Sequence, residues 1–517
     1  MSLLPFLLVT GLGAALALLA RPMERLAAAI GFVALVGAVV AAATIDGGQA
    51  LVMDDSGLAT TDYQRLFLLL GAMCGLVLAV VGAAVGTRRD ATAVTLAILA
   101  SSALALALPD ARLAVLAATT GGVVGALLTI TPMGGRVGAT VGVRVLRAAA
   151  VAGTMAIAAS AWIGRDLSDL VAQPVVFGLA YLAMALAVAL RFAAIPVHAW
   201  AARLTDSVPE ATLPMVTAWA PAAFAVVTLA WVDQSIAPLL VDVDAARVVV
   251  LAVGVASILL ASLAAYIQDD IEHMVGYSII GDAGVVILAV AVLDPAAWAP
   301  ARTFIIAFVV ARSAFAAWAA AARATFHTGR IDDLRGWILR SPLLGVAFAA
   351  VIVASIGLPG FAAFEARATI VALAIPGPIG LVVLLGTLSP LVYYGRLVAV
   401  GVSRPKGGTG GIVAGTRAIV TPLDLTAGRT WLATTWGANR AFTATVGAFL
   451  LGSLAIGASM GAFGAPAAAA GLPPSLDVVT EPFAPIEPGV TFEPVPEPST
   501  EASAAPTAPS FEPVSTP

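Results

Sequence analysis

The chain has 517 residues, of which 60% are hydrophobic and only 11% are charged. A mean hydropathy of +1.01 excludes a soluble globular domain, because such a domain could not expose so much apolar area to water. The composition therefore predicts an all-α polytopic membrane protein in a lipid bilayer. The net charge of −4 indicates little about partners, and we expect no nucleic acid among them.

Residues that commonly hold metals and cofactors are few and scattered. Cys74 is the single cysteine, which excludes a disulfide framework or a thiolate metal site within one chain. The three histidines, His198, His273 and His327, lack the spacing of a metal-ligand set. No ligand set for haem, flavin or an iron–sulfur cluster is present either, so we expect no metal and no cofactor.

Apolar segments of roughly twenty residues, each long enough to cross a bilayer, follow one another along the chain. The first is followed rather than preceded by its basic residues, Arg21 and Arg25, which predicts a retained helix instead of a cleaved signal peptide. The pattern predicts fourteen transmembrane helices, near 2–20, 26–44, 65–86, 92–108, 112–132, 145–164, 172–195, 211–232, 248–266, 273–293, 300–324, 342–371, 378–400 and 441–464.

Charges in the joints between these segments predict the orientation. Alternate joints carry arginines, such as Arg88 with Arg89, and these joints are predicted to be cytoplasmic. The other joints are acidic or nearly neutral, as in 44–63 and 232–246. We therefore expect a multi-pass protein of the cell inner (plasma) membrane with both termini on the outer face.

Two stretches near the end of the chain do not have the composition of a membrane span. Residues 402–440 predict a cytoplasmic linker, whose Gly-Gly-Thr-Gly-Gly run lacks the preceding strand and the Lys-Ser/Thr ending of a phosphate loop. Residues 465–517 are rich in Pro, Ala, Ser and Thr, with glutamates and no basic residue, which predicts a disordered acidic tail. A proline-rich ligand for a partner is the alternative.

The seventh segment contains the first candidate functional site. Pro196 lacks an amide hydrogen and should break the helix there. A broken helix at membrane depth persists where protein or a water-filled cavity satisfies its backbone. Arg191 just before the break and His198 just after it are therefore candidates for an ion path, although Arg191 could instead reach to the membrane interface.

The twelfth segment repeats this pattern. Pro359 and Gly360 can break the helix, and the charges Glu365 and Arg367 follow at membrane depth. Asp282 and Arg312, in the tenth and eleventh segments, should also face the interior, since facing lipid would be costly.

The two breaks fall at the same place in two possible five-helix repeats. An odd number of helices forces such repeats to be inverted, and paired breaks of this kind indicate a transport site. Two unrelated prolines are the alternative. The predicted organisation is 1–89 for helices 1 to 3, 90–235 and 247–401 for the repeats, 402–440 for the linker, 441–464 for the last helix and 465–517 for the tail.

At these residues the sequence resembles the antiporter-like membrane subunits of respiratory complex I, a family shared with cation/proton antiporter complexes and membrane-bound hydrogenases. Four motifs within about residues 90–400 carry the resemblance. They are Arg191–Trp200 with Pro209, Gln268–Gly284, Asp332–Gly336 followed by Pro342 and the Leu358-Pro359 break, and Ser389–Arg396. The resemblance implies other membrane subunits as partners, and protons or monovalent cations as the ions moved.

The sequence departs from the family pattern at residues that matter for proton transfer. Span 5 offers only Thr119 and Thr120 near the position of the family's glutamate, and Pro221 falls where span 8 would carry a lysine. By the same resemblance, Arg191 and Arg367 replace two lysines. A further departure is Asp282, which replaces a histidine of span 10.

We therefore hold three functional hypotheses open. The first is an antiporter-like subunit of a complex I-type NADH:quinone oxidoreductase, with no redox centre of its own. The second is a non-conducting subunit that assembles or couples its neighbours, and the third is an independent secondary transporter. Because arginine keeps its charge, we expect Arg191 and Arg367 to be fixed charges, balanced by Asp282 and Glu365.

Overall fold

The computed structural model of the protein describes residues 2–47, 50–53, 56–86, 91–130, 135–162, 174–205, 208–235, 243–404 and 440–463. Most of the predicted linker and all of the predicted acidic tail lie outside these residues. Those that are described lie in one unit, Met1–Leu476, and are mainly helical.

Most helices of the first half of the chain begin and end within about four residues of the predicted spans, but the helix predicted at 145–164 begins ten residues earlier, at Gly135. They are α1 Leu4–Leu19, α2 Glu24–Ala43, α3 Asp62–Val85, α4 Ala91–Ala107, α5 Ala111–Ile130, α6 Gly135–Trp162, α7 Pro174–Arg191 and the short α8 Ala199–Thr205.

The second half begins with one turn of π-helix, Met215–Trp219, which runs directly into α9. Its α-helices are α9 Ala220–Ser235, α10 Asp244–Ile267, α11 Ile271–Val290, α12 Trp298–Phe326, α13 Trp337–Arg340, α14 Pro342–Ile356, α15 Ala362–Ala374, α16 Pro378–Gly386, α17 Pro390–Val402 and α18 Arg440–Met460. Two short 3₁₀ turns, Pro295–Ala297 and Ile331–Leu334, precede α12 and α13.

The helical membrane architecture is confirmed. Among the described residues, nine helical segments are long and apolar enough to cross a bilayer, and five further apolar helices have 10–17 residues. Each predicted span overlaps one or two of the helices. The count of fourteen crossings and the division into inverted repeats stay predictions.

Two spans occupy the centre of the bundle. In Met215–Val232 and in the span that contains α12, every residue of the 18-residue apolar stretch is buried. In α10, only 39% of the residues in the corresponding stretch are buried. Alanines fill much of α12 and leave little side-chain bulk, which lets neighbouring helices approach closely. The site described below is built around these two central spans.

The last helix, α18, packs against α12, α14 and α3 rather than standing apart after the linker. Gly452 makes this close approach possible, because a Cβ atom added there would lie only 3.0 Å from the Ala350 Cβ. The helix that follows the linker is therefore part of the same bundle.

A small antiparallel hairpin, β1 Ala50–Met53 and β2 Ser56–Ala59, connects α2 to α3. No pattern in the sequence predicted this hairpin. The chain then enters α3 through a capping box, in which Thr61 accepts a hydrogen bond from the Gln64 amide and the Gln64 side chain accepts one from the Thr61 amide. These bonds satisfy amide groups that the first helical turn leaves free.

Candidate functional site

The first break lies between α7 and α8, where residues 192–198 leave the helical path. Pro196 is in this interruption, in a cis peptide bond with Ile195. Two side chains satisfy backbone groups that the break releases: Trp200 donates from Nε1 to the Leu190 carbonyl at 3.0 Å, and Ser257 on α10 accepts from the Ile195 amide at 3.0 Å. The break is thus held by hydrogen bonds from both sides.

Arg191 is the last residue of α7, and its side chain points into protein. It is only 5% exposed, and its guanidinium carbon lies 5.9 Å from the centre of the Phe224 ring. On the α5 side it lies against Gly122, where an added Cβ would come within 1.9 Å of Nη1. The prediction that Arg191 faces the interior matches this placement, and the alternative of a side chain reaching to the membrane interface does not.

His198 is the last residue of the break and is partly buried. Its ring centre lies 6.1 Å from that of Tyr277 on α11, one of the motif residues. This contact joins the first break to the second predicted motif.

The second break lies between α14 and α15, where glycines permit the turn. Gly357 and Gly360 have φ angles of +65° and +89°, a region that residues with a Cβ rarely adopt. The Gly360 amide donates to the Glu365 carboxylate at 3.1 Å. Glu365 is exposed in the first turn of α15, so it does not balance a buried arginine.

Arg367, on α15, binds the carbonyl groups that the second break leaves free at the end of α14. Its Nη2 donates to the Ser355 carbonyl at 2.8 Å and its Nη1 to the Ile356 carbonyl at 3.0 Å. These carbonyls end α14, where the helix dipole places partial negative charge. Arg367 lies after the second break and reaches back to α14, the helix before that break. Arg191, in contrast, lies on α7, the helix before the first break.

Asp282 and Arg312 form a salt bridge between α11 and α12 in the centre of the bundle. The Arg312 Nη2 and Nε atoms lie 2.7 Å and 2.9 Å from Asp282 Oδ2. Arg312 also donates from Nη1 to the Tyr394 hydroxyl at 3.0 Å. The arginine side chain is fully buried and the aspartate is 7% exposed, so solvent screens this pair little.

The predicted charge balance was therefore wrong in its pairing. Asp282 makes its direct pair with Arg312, and Arg367 is held mainly by backbone carbonyls. Arg367 is near enough to Asp282 to interact with it electrostatically, but the two form no direct bond. The reason is geometric: α15 packs against both α11 and α12, but its arginine is taken up by the carbonyls that end α14.

A second charged cluster, formed by Arg323, Glu210 and Glu272, was not predicted from the sequence. The Arg323 Nη1 atom donates to Glu210 Oε1 at 3.0 Å and also contacts Glu272 Oε1. Glu210 is only 2% exposed. A signal was available, since Glu210 directly follows Pro209 and Glu272 lies within the second motif.

All six candidate ion-path residues and all three break residues fall within residues 152–391. These residues match the model of the family described as NADH:quinone oxidoreductase/Mrp antiporter, transmembrane. Over these residues, a little under half of the chain, the sequence is similar to this family of antiporter-like membrane subunits. The resemblance drawn from the four motifs is thereby confirmed.

Curated relatives of the chain are bacterial proteins named NADH-quinone oxidoreductase subunit N. The one from Cereibacter sphaeroides is 40% identical over 149 residues, 28% of this chain and 32% of the relative. The one from Streptomyces griseus is 28% identical over 213 residues, 41% of this chain and 44% of the relative. The chain thus spans about a third to under half of the length of the relatives it matches.

Solved structures share the fold over most of the chain. A chain of respiratory complex I from Thermus thermophilus aligns with a TM-score of 0.62 at 16% identity, covering 88% of this chain and 98% of the other. A chain of the Mrp complex from a Dietzia species aligns with a TM-score of 0.70 at 17% identity, covering 92% and 98%. At these identities the likeness establishes the fold alone.

Proposed function

We propose that the chain is an antiporter-like membrane subunit of a complex I-type NADH:quinone oxidoreductase and contributes to proton or monovalent-cation translocation coupled to electron transport. One observation supports this most directly: within the family-matched residues, two helices are broken and each carries a buried arginine beside its break. Broken helices with buried charge are the arrangement in which membrane proteins bind and pass ions.

We propose other membrane subunits as partners and the inner membrane as the location. Purification of the tagged full-length chain in mild detergent, followed by identification of co-purifying proteins, tests this assignment. Recovery of membrane subunits of such an oxidoreductase supports it. Recovery of the chain alone, as a stable monomer or homo-oligomer, contradicts it and favours an independent transporter.

A second candidate function, a non-conducting subunit that couples its neighbours, is favoured by the central charges. Lysine can release a proton when burial lowers its pKa, but arginine stays protonated in proteins. Arg312 is paired with Asp282, and Arg367 is bound to carbonyls that end a helix. Both arginines therefore act as fixed charges, and a proton relay through them would need another carrier.

The substitution Arg191→Ala in the assembled complex distinguishes the two functions. Proton pumping would be measured in vesicles with a pH-sensitive dye, and assembly by native electrophoresis. Normal assembly with abolished pumping identifies a conducting subunit. Lost assembly, or normal assembly with normal pumping, favours the coupling role.

We also propose fourteen crossings with both termini outside, on the basis of the alternating arginines. Cysteine labelling with a membrane-impermeant reagent tests this, because the native Cys74 is buried and gives a low background. A cysteine introduced at Ser510 should react from the outer face, and one introduced at Gly408 should not. The opposite pattern contradicts the proposed orientation.

A further inference from the structure

The three buried arginines of the site differ in what their guanidinium groups bind. Arg312 binds a carboxylate, and Arg367 binds carbonyls. Arg191 is 5% exposed, yet its Nε and Nη2 atoms have no hydrogen-bond partner among the residues that the structure describes. A buried guanidinium keeps its charge and is strongly unfavourable unless an acceptor or a counter-charge compensates it.

The two nitrogens of Arg191 without a partner among the described residues are neighbours on the guanidinium group. Nε and Nη2 lie on the same edge of the guanidinium plane, the edge that presents two parallel N–H groups to an anion. In Arg312 this same edge holds Asp282 Oδ2, at 2.9 Å from Nε and 2.7 Å from Nη2. The chain itself thus shows which kind of group this edge binds in the bundle interior.

The described neighbours of Arg191 supply no counter-charge. Gly122 faces it from α5 and Phe224 from α9. Neither of these contacts provides a negative charge.

We propose that the Nε–Nη2 edge of Arg191 binds a small monovalent anion of the chloride class. A single charge matches the single guanidinium. The anion must be small because Arg191 is 5% exposed and lies against the backbone of Gly122. The bound anion holds α5, α7 and α9 together at the first break. This site is independent of whether the protein moves ions, so it does not rest on the proposed function.

The test measures thermal unfolding of the purified full-length chain by reaction of Cys74 with a thiol-specific dye. Cys74 is the single cysteine and is fully buried, so its reaction reports unfolding. The reference buffer contains sodium gluconate, which is replaced stepwise by sodium chloride or by sodium bromide at constant ionic strength. The unfolding midpoint should rise with halide concentration, as expected for a ligand that binds only the folded state. An equal response to all three anions, or no response, overturns the proposal.

Variants place the effect at Arg191. Arg191→Gln should abolish the halide response, whereas Arg367→Gln, which removes a guanidinium already bound to carbonyls, should keep it. If Arg191→Gln does not fold, Gly122→Ala decides, because its Cβ displaces the guanidinium and should weaken halide binding about tenfold or more. Gly178→Ala on α7, with no atom within 4 Å of the added Cβ, is the matched control and should behave as wild type. A halide response that is unchanged in Arg191→Gln or Gly122→Ala overturns the proposal.

Discussion

The buried pair of Asp282 and Arg312 provides the sharpest test of how the bundle is held together. Asp282→Asn keeps the shape of the side chain and one acceptor oxygen but removes the negative charge. Arg312 is fully buried, and its other hydrogen bond to a side chain, among the described residues, is to the neutral Tyr394 hydroxyl. The substitution therefore leaves a buried cation without its counter-charge.

The structure sets the magnitude. Two unit charges 2.7 Å apart attract by about 6 kcal/mol at an effective dielectric constant of about 20, which is an upper limit because burial also removes hydration. Removing one partner of a buried pair costs about 3–5 kcal/mol. Removing both charges, with Asp282→Asn and Arg312→Met together, should restore about 2 kcal/mol or more relative to either single variant.

The assay is unfolding of the purified chain in mixed detergent and SDS, again followed by exposure of Cys74. Glu365→Gln is the control, because Glu365 is exposed and glutamine still accepts a hydrogen bond from the Gly360 amide. It should cost less than about 1 kcal/mol. A double variant whose loss of stability equals the sum of the two single losses would refute the reasoning, since the two charges would then not interact.

Three further predictions concern the remaining polar contacts and use the same unfolding assay. Arg367→Gln should cost about 3 kcal/mol, because it frees buried carbonyls at the end of α14; a loss below 1 kcal/mol would contradict this role. Ser257→Ala removes the acceptor of an amide in the first break and should cost about 1–2 kcal/mol, whereas Ser262→Ala, which loses only a bond to its own helix, should cost clearly less. Arg323→Gln leaves the Glu210 and Glu272 carboxylates facing each other and should cost about 1–2 kcal/mol, a value lowered because the Arg323 side chain is half exposed. Glu272→Gln relieves the repulsion between the two carboxylates and should cost less. The reverse order would show that the arginine does not hold this cluster together.

Most of the architecture could be predicted from sequence because its causes are local. Continuous apolar runs of about twenty residues predict membrane helices, whatever the rest of the chain does. Pro196, Pro359 and Gly360 interrupt such runs, and the helices stop close to these residues. A proline or a glycine acts on its own turn of backbone, whatever packs against it. The hairpin between α2 and α3 was not predicted, because two strands of four residues each are too short to show a clear hydrophobic pattern.

The charge pairing could not be predicted, because partners are distant in sequence. Asp282 and Arg312 are 30 residues apart on separate helices, and Glu210 and Arg323 are 113 apart. Which carboxylate meets which arginine depends on how the helices rotate and pack. Sequence spacing alone left Asp282 and Glu365 as equally available partners for any arginine at the same depth.

The sequence by itself thus determined that the chain enters a membrane, where its helices break and which charges lie at depth. Only the tertiary structure decided which helices are central and which face outward. Met215–Val232 is fully buried and α10 is mostly not, although α10 is the more hydrophobic of the two, with a hydropathy of 2.7 against 1.7. Hydropathy cannot make this distinction, because lipid tails are as apolar as the side chains of a neighbouring helix.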